Sequence, residues 1–189
     1  MKKRCEWAGD DPDYVKYHDE EWGVPTHDDR ILFEFLVLES MQAGLSWLTV
    51  LRKRENFREA FAGFDPIKVA KYNEKDVSRL MNDAGIIRNM QKINAAINNA
   101  TIFLKIQKEF GSFDKYMWSF GPLRSGKPIK NTWRTMADLP SKTKLSDEIS
   151  GDMKKRGFKF VGSTIIYAHM QATGMVNDHI TDCFRYTQV

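Results

Sequence analysis

Between Ile31 and Leu38 the chain reads Ile-Leu-Phe-Glu-Phe-Leu-Val-Leu, with only Glu34 polar, and the next residue is Glu39. A helix that is apolar nearly all round belongs inside a protein, so other elements must wrap around this one. Glu39 then stands where the interior ends, followed by Gln42-Ala43-Gly44-Leu45 as a turn and by Ser46-Trp47. A carboxylate at that margin either finds partners or has its pKa raised, and both conditions are common at working sites. The alternative is a negative charge that helps to cap the helix beginning at Ser46.

The remaining pattern is helical. Asp11-Pro12 supplies an N-cap and a first-turn proline, and places Tyr14, Tyr17, His18 and Glu21 on one face. Asp28 or Asp29 opens the buried helix, which runs to about Met41. From Ser46, the residues Trp47, Leu51, Phe57, Phe61 and Phe64 fall near a single stripe, with Arg52, Lys53, Arg54 and Glu55 expected at exposed positions. Short helices are expected from Asp65-Pro66 and over 74–84. After Gly85-Ile86-Ile87 comes a long helix from about Arg88 to Phe110, with Met90, Ile93, Ile97, Ala100 and Leu104 inward and Gly111 as its stop. A short helix from Ser112, a loop over 121–130 and helices over 146–156 and 163–173 complete the chain; residues 131–145 give no clear pattern. No strand alternation stands out. The expected fold is all-α, and 189 residues are most simply one domain.

A 42% hydrophobic and 29% charged composition is ordinary for a globular protein. No apolar run approaches the roughly 18 residues of a transmembrane helix, and Met1-Lys2-Lys3-Arg4 is not followed by an apolar segment, so no secretory signal is expected. The net charge of +4 permits nucleic acid as a partner without requiring it. Two cysteines make no disulfide framework, and a reducing, cytoplasmic compartment is expected.

Three constellations carry possible chemistry. Cys5, His18, His179 and Cys183 form a two-thiolate, two-imidazole set that could close a structural zinc site and tie the two ends of the chain together. Exposed thiols, or a Cys5–Cys183 disulfide, which a reducing compartment disfavours, are the other readings. Ala84-Gly85-Ile86-Ile87-Arg88 lies between two helices, with Lys92 one turn on. It is either a phosphate-binding hairpin or a plain helix–helix turn. Trp7, Tyr14, Tyr17, Trp22 and Trp47 are either core aromatics or the walls of a pocket for a flat, polar heterocycle near Glu39.

Together these residues resemble the bacterial 3-methyladenine DNA glycosylase I family over nearly the whole chain. The likeness runs through Cys5-x-Trp7 and Asp11-Pro12-x-Tyr14-x-x-Tyr17-His18-Asp19-x-Glu21-Trp22-Gly23-Val24-Pro25. It continues in Leu38-Glu39-x-x-Gln42-Ala43-Gly44-Leu45-Ser46-Trp47, Asp83-Ala84-Gly85-Ile86-Ile87-Arg88, Lys154-Lys155-Arg156-Gly157-Phe158-Lys159-Phe160-Val161-Gly162 and Val176-Asn177-Asp178-His179 with Cys183. Residues 121–147 match no motif. The resemblance implies a helix-hairpin-helix glycosylase-like fold, a single unit over 1–189 with its core at about 28–165. Its terminal segments would be stapled by one structural Zn2+ on Cys5, His18, His179 and Cys183. It implies monofunctional removal of 3-methyladenine from double-stranded DNA by a cytoplasmic monomer without membrane attachment, with the free base as product. Glu39 would be the ionised pocket carboxylate. Tyr17 and Trp47 would sandwich the base, and Trp7, Tyr14 and Trp22 would line the pocket. Gln42 and Leu45 would fill the gap left in DNA, with Gly85, Arg88 and Lys92 at its backbone. A non-catalytic DNA-binding hairpin module and a zinc-stapled interaction domain are the competing classes.

Overall fold

The computed structural model describes residues 2–189. Its centre is the helix α2 (Asp29–Gln42), in which every residue from Leu32 to Met41 is buried. The helix α7 (Met90–Phe110) crosses it on one side, while α10 (Ser163–Ala172) packs on α2 and on α9 (Lys144–Lys155) on another. Preceding α2 is α1 (Pro12–Glu20), capped by Asp11 through the amides of Asp13 and Tyr14. Between α2 and α7 lie α3 (Trp47–Leu51), α4 (Arg54–Ala60), α5 (Pro66–Val69) and α6 (Glu74–Asn82), and α8 (Phe113–Met117) follows α7. The main core joins α2, α7 and the helices around them. A second apolar cluster, of Cys5, Tyr17, Trp22, Phe35, Ala172, Ile180 and Cys183, brings the two ends of the chain together beside it.

Both ends of α2 are tied to α7 and its flanks. At the start, the Asp29 carboxylate accepts hydrogen bonds from Gln107 Nε2 at 2.6 Å and from the amides of Phe113 and Asp114, each at 2.8 Å. At the finish, the Lys92 ammonium donates to the carbonyls of Met41 and Ala43 at 2.9 and 2.5 Å. Those carbonyls have no partner within their own helix, and a cation is favoured at that end of the helix dipole.

The architecture is all-α apart from one parallel contact of two-residue strands, β1 (Ile129–Lys130) and β2 (Val176–Asn177). Strands so short carry too few residues for alternation to be visible in sequence. The helix expected from Ser46 breaks at Arg52 and Lys53, and the break turns Arg54 inward rather than leaving it exposed. Its guanidinium donates to Glu34 and Glu21 and lies 5.0 Å from the centre of the Phe35 ring. The long helix starts at Met90, with Asn89 as its cap, not at Arg88. Ile93, Ala96, Ala100, Phe103 and Ile106 face inward, whereas Met90 is exposed and Leu104 only half-buried.

Gly174, which ends α10, holds φ +68°, and a Cβ there would collide with the backbone of Val24 and Pro25. Gly174→Ala combines left-handed strain with overpacking, and is expected to cost about 3 kcal/mol or more in chemical denaturation.

Candidate active site and metal centre

Beside the second cluster lies a cavity of about 290 Å³ walled by Trp7, Tyr14, Tyr17, Trp22, Glu39, Gln42, Trp47, Met136, Leu139, Ala168 and Gln171. The continuous burial of α2 positions Glu39 there. Three residues before the helix ends, its side chain leaves the apolar core and meets the aromatic wall. Among the described residues no group donates a hydrogen bond to its carboxylate, and it is 4% exposed. Desolvation alone pushes its pKa up to about 8. Without a neighbouring cation this favours the protonated form of Glu39 at neutral pH. The Tyr17 hydroxyl is also held neutral, first by burial and then by Glu39.

The aromatic residues meet as a pocket rather than being dispersed through the core. Trp7 packs edge-on against Tyr14 and Trp22, at centroid separations of 5.6 and 5.0 Å. Tyr14 turns its hydroxyl to the start of α3, where it accepts the Leu48 amide at 3.1 Å. Tyr17 and Trp47 are 5.4 Å apart and tilted by 48°. A flat ring stacked between two others needs about 7 Å, twice a van der Waals contact, so these rings touch rather than bracket a gap. Bracketing a base requires Trp47 or Tyr17 to move. The Nε1 atoms of Trp7 and Trp47 are buried and unpartnered. The pocket thus offers a carboxyl and aromatic faces, a set that suits a flat, polar heterocycle.

Cys5, His18, His179 and Cys183 are brought together, all buried, with their ligand atoms within 4.8 Å of one another. Cys183 Sγ is 3.4 Å from His18 Nε2 and 3.5 Å from His179 Nδ1, and Cys5 Sγ is 3.6 Å from His179 Nδ1. A tetrahedral ion with metal–sulfur and metal–nitrogen bonds of about 2.3 and 2.0–2.1 Å has S···N edges of about 3.5 Å, so the residues fit. Each imidazole is oriented from behind. His18 Nδ1 pairs with Asp19 at 2.8 Å, and His179 Nε2 with the Trp22 carbonyl at 3.0 Å. Arg4 holds Asp19 in turn and keeps its pKa down at about 2. The four residues could hold a metal ion, and they leave it no open position.

Two residues expected at DNA are occupied otherwise. Lys92 is buried, with its ammonium on the end of α2, and burial lowers its pKa. The Gly85 amide donates to Asp83 Oδ1 at 2.7 Å, while its carbonyl takes Lys53 and Asn56. A Cβ at Gly85 would meet that Asp83 oxygen at 2.9 Å and Asn56 at 3.1 Å. This close approach is by itself a reason for a glycine at the position. Arg88 is exposed, as is Leu45 at 42% on the tight turn closed by Gln42 Nε2 on the Leu45 carbonyl. His169 is buried and bonded to the Leu32 carbonyl at 2.9 Å, with its pKa lowered to about 4 by burial.

Sequence reasoning missed Met136, Leu139, Ala168 and Gln171 as pocket residues. The first two come from the unassigned segment over 131–145, which hydrogen bonds to distant residues hold in place. Trp133 Nε1 donates to Asp178 at 2.8 Å, and the Thr181 amide to the Trp133 carbonyl at 2.8 Å. Ala168 and Gln171 are three apart on α10, one face of a helix whose other faces are also apolar, so no periodicity singled them out.

A helical fold with an aromatic pocket around an unpartnered carboxyl and a Cys/His cluster joining the chain ends defines a DNA glycosylase once its relatives are considered. Residues 7–186 match the model of the methyladenine glycosylase family. The Escherichia coli (strain K12) DNA-3-methyladenine glycosylase 1 is 50% identical over 184 residues, covering 97% of each chain. A Haemophilus influenzae DNA-3-methyladenine glycosylase is 45% identical over 183 residues, again covering 97% of each. A crystal structure of 3-methyladenine DNA glycosylase I superposes with a TM-score of 0.92 at 50% identity, covering 96% of this chain and 98% of that one. The Staphylococcus aureus enzyme, whose structure concerns 3-methyladenine recognition, gives 0.91 at 39% identity, covering 96% and 95%. This chain belongs to the methyladenine glycosylase family.

Cys183→Ala is expected to lower bound metal from about one ion per chain to near zero by elemental analysis, and to lower the melting temperature. Unchanged metal content would remove the site.

Proposed function

We propose that this chain hydrolyses the N-glycosidic bond of 3-methyladenine in double-stranded DNA, releasing the free base and leaving an abasic site without strand cleavage. The observation that carries this reading is Glu39, a buried carboxyl on an aromatic wall with no partner among the described residues. A carboxyl so placed is costly unless a ligand completes it. The base of a 3-methyladenine nucleotide is cationic, so its leaving group needs no protonation. The pocket has to take up an extruded, charged ring. Once Trp47 or Tyr17 moves aside, the two stack on the faces of that ring, Trp7, Tyr14 and Trp22 close its surround, and Glu39 binds its edge.

The cation returns Glu39 to its anionic form, so binding expels a proton from the pocket. As an anion, Glu39 stabilises both the charged base and the oxocarbenium-like sugar that develops as the bond to C1′ lengthens; water completes the substitution. Among the described residues no lysine lines the cavity to act as a nucleophile, which accords with base removal alone. Gln42 and Leu45, at an exposed turn beside the pocket, fill the gap left in the duplex. We read α6, the 83–89 turn and α7 as the helix-hairpin-helix element. Arg88 is its phosphate contact; Gly85 shapes the turn, and Lys92 holds the Gln42–Leu45 turn from beneath. The unit spans 1–189 with its helical core at about 28–165. It acts as a cytoplasmic monomer, and one zinc ion on Cys5, His18, His179 and Cys183 closes the terminal segments. Bound there, zinc supplies structural cross-linking and no chemistry.

The following outcomes test this. Protein incubated with methylated duplex DNA should release 3-methyladenine, detected by chromatography, with backbone cleavage only after alkali; no released base sinks the reading. Glu39→Gln should cut excision by a factor of about 100 or more. Because the pKa of Glu39 in the free enzyme is about 8 and the bound form is anionic, wild-type kcat/KM should rise from pH 6 to 8 and then level, while the residual activity of Glu39→Gln stays flat. In salt titrations of DNA binding, Arg88→Ala should reduce the slope by about 1, whereas Lys92→Met should lower stability by about 2–3 kcal/mol and leave the slope unchanged.

A further inference from the structure

Gln171 lies on the wall of the same cavity, and one buried carboxylate fixes the direction of its amide. Asp178 is 1% exposed and surrounded by donors. Its Oδ2 accepts the Tyr167 hydroxyl at 2.6 Å and Gln171 Nε2 at 2.7 Å, and its Oδ1 accepts Asn131 Nδ2 at 2.7 Å and Trp133 Nε1 at 2.8 Å. Each of its two oxygens accepts from two donors, so the nitrogen of Gln171 faces Asp178 and its carbonyl oxygen faces away. That oxygen has no protein donor among the described residues, yet it is not sealed in the interior. Gln171 is part of the cavity wall, so the cavity is the space this oxygen can serve.

We propose that Gln171, oriented by Asp178, is a specificity-determining residue through which the pocket selects a 6-amino purine over a 6-oxo purine. This rests on the reading that the pocket holds an N3-methylated purine. The two cavity acceptors differ in kind. Glu39 is adaptable: protonated it donates to a carbonyl, ionised it accepts from an amine, so by itself it tolerates either substituent. Gln171 cannot adapt, because reversing its amide would set a carbonyl oxygen against the Asp178 carboxylate. An exocyclic amine satisfies the Gln171 oxygen. An exocyclic carbonyl leaves two acceptors facing each other without a proton, and unpaired polar groups of this kind are what make hydrogen-bonding pockets selective.

The same hub gives Asp178 a role beyond its place next to His179. Trp133 and Asn131 anchor the segment that brings Met136 and Leu139 to the cavity, while Tyr167 and Gln171 belong to α10. Selectivity and closure of the far wall therefore depend on one carboxylate.

The experiment is a fluorescence titration of the full-length protein with free 3-methyladenine and with 3-methylhypoxanthine, which carry an amino group and an oxygen at C6. The wild type is expected to prefer 3-methyladenine by about ten- to a hundred-fold. Gln171→Met, which keeps length without a polar end, should shrink that ratio to within a few-fold of one. Asp178→Asn, which lets the Gln171 amide reverse, should shrink it as well. The ratio of the two dissociation constants does not depend on the fraction of protein folded, so partial destabilisation leaves the result readable. A Gln171→Met protein that keeps the wild-type ratio overturns the proposal and leaves the glycosylase reading standing. A wild-type protein that binds neither base, and releases none from methylated DNA, overturns both.

Discussion

Everything in this protein hangs on the burial of α2 with both of its ends tied down. Ten consecutive residues, Leu32 to Met41, lie inside, and two of them are glutamates. Glu34 is neutralised by Arg54 and Arg58. Glu39 has no such partner among the described residues, and it can remain without one because the rest of the helix cannot shift to relieve it. Asp29 holds the start of α2 to α7 and α8 through three hydrogen bonds, and Lys92 holds its last carbonyls from α7. The apolar surface buried along the helix offsets the cost of one desolvated carboxyl.

The second apolar cluster depends on that anchoring. Tyr17 and Trp22 reach the pocket from α1 and the turn after it, Phe35 lies beneath them on α2, and Cys5 and Cys183 bring in the two ends of the chain. The metal-capable cluster and the pocket share neighbours. Trp22, which walls the pocket, also gives its carbonyl to His179, and Trp7 packs 5.3 Å from the His18 ring. Asp178 completes the arrangement from the other side. A carboxylate with four donors in low dielectric acts as a rigid joint, and it is here that the segment after β1 meets α10.

How far the site could be read from sequence differed residue by residue. Glu39, Trp7, Tyr14, Tyr17, Trp22 and Trp47 are near one another along the chain and distinctive in type, so their grouping around one cavity was open to a careful reader. The four metal-capable residues needed chemical type as well as position, since C-x12-H is an unusual spacing. Lys92 and Arg54 misled in the same way. A charged residue on a helix flanked by polar neighbours looks solvated, and only the packing shows that Lys92 reaches two orphan carbonyls and that Arg54 reaches two carboxylates. Gln171 gave no signal, because an amide in an apolar helix has the same pattern whether it faces a core, a cavity or an acid.

By itself the sequence determined that α2 is buried, that the chain is helical, where most helices begin and end, and which residue types gather near Glu39. These follow from periodicity, capping and local chain stiffness, which act over a few residues. Only the tertiary structure decided the protonation of Glu39, the contact between Tyr17 and Trp47 that leaves no ready gap for a ring, the inward turn of Lys92 and the fixed direction of the Gln171 amide. Each of these is set by desolvation or by a hydrogen bond to a residue far away in the chain. Such effects depend on what the fold brings within about 3 Å, and no local pattern records it.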